Sequence, residues 1–274
     1  MSKGIAKVTN LGSAGMVMHD DTPDWKFLYE AGTVLPAQYN VGDRVRLPDG
    51  RVFHLSKASG TLDTSKLAWT VTGQHITYAL CQAAAAIGAT EIKVTVAVTD
   101  GVAGTGILTE DELRGGQICI GLGGTNQNRG ILGNSAVAVG GGTVTIYLDA
   151  PLTVAVTTAT YVEVMANQYL GVNTGNNGGY RAAVGLPVVA ATVGQYTWLQ
   201  TWGPCWVSPQ SDLGNTIHNN SVTARHDGSV DSEMNAAAVG GTAYNYQQQR
   251  VGYVLSRARG NTQGAPFIFL MIAP

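Results

Sequence analysis

The residues of this 274-residue chain that could do chemistry are few and scattered. Its five histidines, His19, His54, His75, His218 and His226, show none of the His-Glu-x-x-His or similar spacing that holds a metal on one element. His19-Asp20-Asp21 with Asp24 offers oxygens that suit Ca²⁺ or Mg²⁺, but the loop spacing and glycine of a calcium-binding hand are missing, so an exposed acidic turn ending at Pro23 is expected. Gly121-Leu122-Gly123-Gly124 is followed by neither Gly-Lys-Ser/Thr nor a sixth-position glycine, and reads as a tight turn beside a strand. Gly12-Ser13-Ala14-Gly15 has the wrong spacing for a nucleophile elbow, and no cysteine stands in a recognisable context with His and Asn or Asp. His226-Asp227 is no dyad, because strand neighbours face opposite ways. The 18 acidic residues, mostly in turn-like contexts, point to no carboxylate pair for glycoside cleavage. The expectation is a non-enzyme with no catalytic residue, no cofactor and no metal.

The densest cluster that could bind something is aromatic: Tyr196, Trp198, Trp202 and Trp206. Tyr and Trp are enriched where proteins meet, and the same flat faces stack on sugars. Alternation along one strand puts Tyr196, Trp198, Gln200 and Trp202 on one face, so core is the first reading, interface the second and sugar platform the third.

Composition constrains what these residues serve. Charged residues are 12% of the chain, about half of ordinary usage, and 36 glycines are about twice it. A surface so poor in charge points to coverage by copies of the chain or by other proteins. The formal charge of −2, with no basic block, argues against nucleic-acid binding, and 45% hydrophobic content argues against disorder. Cys81, Cys119 and Cys205 form no CxxC pair and read as reduced thiols of a protein made in the cytoplasm. Met1 to Lys7 has no signal-peptide core behind it, and no run approaches the ~18 apolar residues of a membrane span. Asn219-Asn220-Ser221 is therefore a loop tripeptide, not a glycosylation site.

The elements that would position the cluster read as strands. Pro48-Asp49-Gly50 between Gly42–Leu47 and Arg51–Leu55 is a hairpin turn with a mechanism, since Pro presets φ at the first central position and Gly tolerates the conformation needed after it. Alternating, β-branched stretches at 90–97, 117–120, 143–148, 152–156 and 161–165 predict strands, as do 196–201, 251–255 and 266–272. The apolar run Phe267–Ile272 predicts a strand buried on both faces. Ala83–Ala89 is the one helical candidate, stopped by Gly88, and Thr109-Glu110-Asp111-Glu112 fits a capping pattern for a single helical turn in a solvated loop. Gly171–Gly179 reads as a linker, and Ser208 to about Gly241 as a polar loop region. The expectation is an all-β chain of small β-barrel or β-sandwich domains with very little helix: 1–82 with the hairpin, 83–170 as a middle domain or insertion, and 171–274, which either follows as a third domain or pairs with 1–82.

Gly194-Gln195-Tyr196-Thr197-Trp198-Leu199-Gln200-Thr201-Trp202-Gly203-Pro204, with Val251-Gly252-Tyr253-Val254-Leu255 further on and then a last strand, resembles the C-terminal region of tailed-bacteriophage head-decoration (cement) and related virion structural proteins. The Asp49–Phe53 hairpin and the Ala-rich opening of the middle segment are similar too. The resemblance implies a β-barrel body on the capsid exterior that binds the major capsid protein, commonly as a homotrimer, and locks shell subunits together, with no nucleic acid or membrane partner. The smallest decoration proteins lack the middle segment. Trp202, Trp206, Arg257 and Arg259 are anchor candidates by residue type. The alternatives are a head-fibre or tail-associated receptor- or carbohydrate-binding protein, then a carbohydrate-active enzyme, then the major capsid protein itself, which would need long helices.

Overall fold

A computed structural model describes residues 5–9 and 15–19 by their backbone, and 25–71, 75–121, 125–138, 140–174, 181–209, 213, 220–232, 249–256 and 266–274 in full. Among the described residues there is no α-helix, and one short 3-10 helix, Trp25–Tyr29. The chain is all-β. Its first segment gives β1 (Ile5–Thr9), β2 (Gly15–His19), β3 (Arg44–Arg46), β4 (Val52–Ala58) and β5 (Ala68–Trp69). The middle gives β6 (Ile76–Leu80), β7 (Glu91–Val96), β8 (Gln117–Ile120), β9 (Gln127–Asn134), β10 (Gly142–Leu148) and β11 (Tyr161–Met165). The last segment gives β12 (Leu170–Val172), β13 (Ala183–Pro187), β14 (Tyr196–Trp206), β15 (Ser221–Ala224), β16 (Val230–Ser232), β17 (Arg250–Ser256) and β18 (Phe267–Met271).

Two compact units result. One combines both ends of the chain, Met1–Thr9 and Ala14–Thr72 with Gly171–Pro274; the other is the middle, Gly73–Leu170. The first division falls at Thr72/Gly73 rather than after residue 82, because β6 is hydrogen-bonded to β11 in the middle unit.

The end-built unit is a sheet in the order β16-β15-β17-β18-β14-β4-β3-β1-β2, with β12 on β4 and β13 bridging β14 and β5. The β3–β4 hairpin turns at Pro48-Asp49-Gly50: Gly50 sits at φ 89°, Leu47 N–H donates to Arg51 O at 2.8 Å, and the Asp49 carboxylate accepts from Arg51 N–H and Nε at 3.0 and 2.8 Å. The ends of the chain are joined by β4 on β14, from Tyr196↔Lys57 to Trp202↔Val52.

The middle unit is an antiparallel sheet ordered β6-β11-β8-β9-β10-β7. Cys81, just past β6, bridges Val94 of β7, and Gln82 N–H reaches Lys93 O at 2.8 Å, so the two end strands meet and the sheet curls into a barrel-like body. Strand alternation is clean: Ile92, Val94 and Val96 of β7 and Val144, Ile146 and Leu148 of β10 are buried, while the residues between them are exposed or partly so.

Three local expectations are corrected. Ala83–Ala89 forms no helix, because its amides bond across to another segment: Ala85 N–H to Val156 O at 3.1 Å and Gly88 N–H, at φ 90°, to Leu152 O at 2.8 Å. Residues 152–156 form no strand, because the buried Gln127 side chain takes their backbone groups: its Oε1 accepts from Thr153 and Val154 N–H at 2.7 and 3.1 Å, and its Nε2 donates to Val154 O at 2.9 Å. At Thr109–Glu112 the Glu112 carboxylate does accept from Thr109 N–H and Oγ1, at 2.8 and 2.9 Å, but the segment is a turn and no helix grows from it.

Candidate functional site

The aromatic cluster lies on β14, and a bulge divides it. Consecutive β4 residues Phe53 and Val52 pair with Gln200 and Trp202, so Thr201 is an extra residue in β14. Because side chains alternate along a strand, the extra residue turns everything after it to the other face. Gln200 Nε2 secures the bulge by donating to Pro204 O at 2.9 Å and Trp202 O at 3.2 Å, and Thr201 Oγ1 donates to Ala273 O at 2.7 Å. The single-face arrangement expected from alternation is therefore overturned.

Before the bulge, Trp198 is core. It is 1% exposed, sits with Leu28, Val45, Phe53 and Leu55, and meets Phe27 and Tyr39 edge-on at 5.6 and 5.0 Å. Tyr196 packs partly buried against the same cluster, with the Lys57 ammonium 5.4 Å over its ring.

After the bulge, Gly203, Cys205 and Val207 turn inward, while Trp202, Pro204 and Trp206 turn outward. Two side chains of β18, Ile268 and Leu270, are buried, and Phe267, Phe269 and Met271 share the outward face, which corrects the expectation of a strand covered on both sides. Tyr253 and Leu255 of β17 add to it. Phe269 is the centre: the Trp202 ring meets it edge-on at 5.6 Å, and the Tyr253 ring lies parallel to it at 5.3 Å. Phe267 stands opposite Trp206 and Met271 opposite Trp202. Phe267 is 56% exposed, Leu255 44%, Met271 42%, Trp206 39% and Tyr253 38%.

This face has no Asp, Glu, Lys or Arg on β14 or β18, nor on β17 beyond its first residue, Arg250. At its margin Arg51 is ion-paired to Asp49 at 2.8 Å and lies 5.6 Å over the Phe53 ring. Two glycines let the backbones close up beneath it. At Gly252 a Cβ would collide with the Phe269 carbonyl, and Gly203, at φ 101°, abuts Arg51. The Cys205 thiol behind the sheet is pushed up to about 12 by burial, which makes it an inert packing group. Withdrawing what remains exposed of each large side chain from water is worth on the order of 1 kcal/mol. The face can thus adhere to an apolar surface, and among the described residues of β14, β17 past Arg250, and β18 it carries no formally charged side chain.

The other sequence candidates do not join it. His54 is mostly buried, with Nδ1 3.0 Å from Gly42 O, and burial lowers its pKa to about 4. His226 is exposed in the β15–β16 turn, where Asp227 accepts from Ser229 N–H and Oγ at 3.1 and 2.6 Å. His19 is placed only by its backbone in β2. Asp20, Asp21, Asp24, Leu122–Gly124, 175–180, His218, Asn219, Arg257 and Arg259 lie outside the described residues, as does most of 208–241; the described part of that stretch forms the buried strands β15 and β16 rather than the polar loop expected, and Gly171 and Val172 belong to β12 rather than to a linker. Among the described residues no three His, Cys, Asp or Glu side chains gather as metal ligands. Sequence reasoning missed Tyr253, Leu255, Phe267, Phe269 and Met271 as one surface; the signal was the apolar run Phe267–Ile272, unbroken where a half-buried strand ordinarily alternates.

No family model, curated protein or solved structure matches the chain.

Proposed function

We propose that the protein is a non-enzymatic structural component of a tailed-bacteriophage virion, made in the host cytoplasm, that binds the outside of the capsid and stabilises it as a decoration or cement protein. Its partner is the major capsid protein, and it acts as a homo-oligomer, with a trimer favoured. The observation that carries this reading is the uncharged aromatic face of β14, β18 and β17. A monomer has no use for five large, partly exposed apolar side chains on one rigid sheet, whereas a cement protein works by burying such area across the joints of a shell.

Co-sedimentation of the purified chain with capsids that lack it tests the reading. Saturable binding that raises the shell rupture temperature is expected, and the double variant Phe267→Ser, Trp206→Ser should reduce binding at least tenfold while the fold survives. A folded chain that ignores capsids overturns the proposal.

One observation favours the alternative of a head-fibre or tail-associated carbohydrate-binding protein. Tyr78, 60% exposed and at φ 47°, stacks on Tyr161 with ring centroids 4.1 Å apart. A bulky residue held in the left-handed region at the surface is uncommon, and flat paired rings suit a sugar. Retention of host polysaccharide, lost in Tyr78→Ala, would move the function there.

A further inference from the structure

His75 begins the described part of the middle unit and ties the strand that enters it to the strand that leaves. Its N–H donates to Val164 O at 2.8 Å, its carbonyl accepts from Gly101 N–H at 2.6 Å, and its ring Nδ1 accepts the Ala166 N–H at 2.9 Å. Ala166 directly follows β11, close to the end of the unit at Leu170. The residue is 2% exposed, and Nε2 is enclosed without a hydrogen-bond partner among the described residues. Because Nδ1 accepts, the ring is neutral and carries its proton on Nε2.

We propose that His75 is a proton-operated clamp: its neutral ring holds the incoming and outgoing strands of the middle unit together, and a proton taken up on Nδ1 releases Ala166 and opens that end of the unit. An imidazolium has two donors and no acceptor. Its Nδ1–H would confront the Ala166 N–H donor to donor, and both nitrogens of a buried cation would be left without acceptors. Burial accordingly holds the ring below the usual histidine range, and the Glu112 carboxylate, the charge whose field reaches it, opposes that shift more weakly. The surrounding elements also carry Asp100, whose Oδ2 accepts from Ala97 N–H; Glu163 and Tyr161 on β11; Tyr78 on β6; Glu110 beside Asp111; and Arg114, occupied by Asp111 and the Leu132 carbonyl. None of them is hydrogen-bonded to the ring among the described residues.

In the open form the ring titrates near its ordinary value of about 6.5. Opening therefore grows as pH falls below about 6.5, by up to tenfold per pH unit, until the closed ring itself takes the proton.

Backbone amide exchange on the full chain from pH 7.5 to 4.5, corrected for intrinsic rates, reads this directly. The Ala166 amide should lose up to tenfold protection per pH unit below about 6.5, while the Leu148 amide, bonded to Thr90 O at 2.8 Å in the same unit, keeps its protection. In His75→Asn the side-chain Oδ1 takes the place of Nδ1 and accepts without titrating, so Ala166 protection should become independent of pH. Nitrogen chemical shifts of the His75 ring in the unsubstituted chain give a second readout should that variant not fold: they should report the Nε2–H tautomer at pH 7 and change in step with Ala166 exchange. Flat Ala166 protection in the unsubstituted chain, an undiminished acid loss in His75→Asn, or equal loss at Ala166 and Leu148 overturns the clamp.

Discussion

The two units are built from different materials. All five tryptophans and all four phenylalanines lie in the segments that form the end-built unit; the middle segment has neither, only Tyr78, Tyr147, Tyr161 and Tyr169. The middle unit fills its interior mainly with Val, Ile and Leu, in clean alternation along β7 and β10, and its segment carries seven acidic against three basic residues. The end-built unit uses aromatic rings both as core, around Trp198, and as surface, around Phe269. A barrel-like body needs many small branched side chains to fill a closed interior, whereas a broad open sheet can carry large rings on either of its faces.

This contrast makes the units separable in experiment, since tryptophan fluorescence reports only the end-built one. Trp198→Ala should cost about 3–5 kcal/mol and lower the fluorescence-detected melting temperature, while the middle unit's calorimetric transition stays in place. A single transition that moves as a whole would abolish the distinction. Acid is the next test. His54 has a folded pKa of about 4 against an ordinary 6.5, so below pH 6.5 the unfolded chain takes a proton that the native one refuses. Stability complete above pH 6.5 should decline toward pH 4 by up to about 3 kcal/mol, and His54→Gln should flatten that slope in the fluorescence melt. Gly252→Ala, which places a methyl group against the Phe269 carbonyl, should cost about 1–3 kcal/mol in the same unit. Smallest is Ile146→Val, about 0.5–1.5 kcal/mol, confined to the middle unit and invisible to tryptophan.

Strand identity was largely legible in the sequence where alternation was strong: residues 91–96, 117–120 and 161–165 are strands because every second side chain is apolar and β-branched residues are frequent. The Pro48-Asp49-Gly50 turn was legible for its own chemical reason. Where side chains captured backbone groups the pattern misled, as at 152–156, where the Thr153 and Val154 amides go to Gln127 and only Leu152 and Val156 bond across to the 85–89 segment. The aromatic face was legible as a cluster of residue types but not as a surface. One extra residue, Thr201, decides which rings face in, and nothing in the spacing of Trp198 and Trp202 marks it. The run Phe267–Ile272 shows the remaining gap: residues apolar on both sides of a strand say that both sides avoid water, and leave open whether this chain or another molecule covers the second.

The β4–β14 ladder also dictates a schedule. Ser56 Oγ donates to Thr197 O across 141 positions of sequence, and β18, which lies between β14 and β17, ends just before the last residues of the chain. During synthesis the middle unit, whose strands β6 to β11 pair only with one another among the described residues, can complete itself while β4 waits with an unpaired edge for a strand not yet made. The rate of forming the end-built sheet is therefore set by that long closure, and the nascent chain is most vulnerable to mispairing in the interval between the emergence of β4 and that of β18.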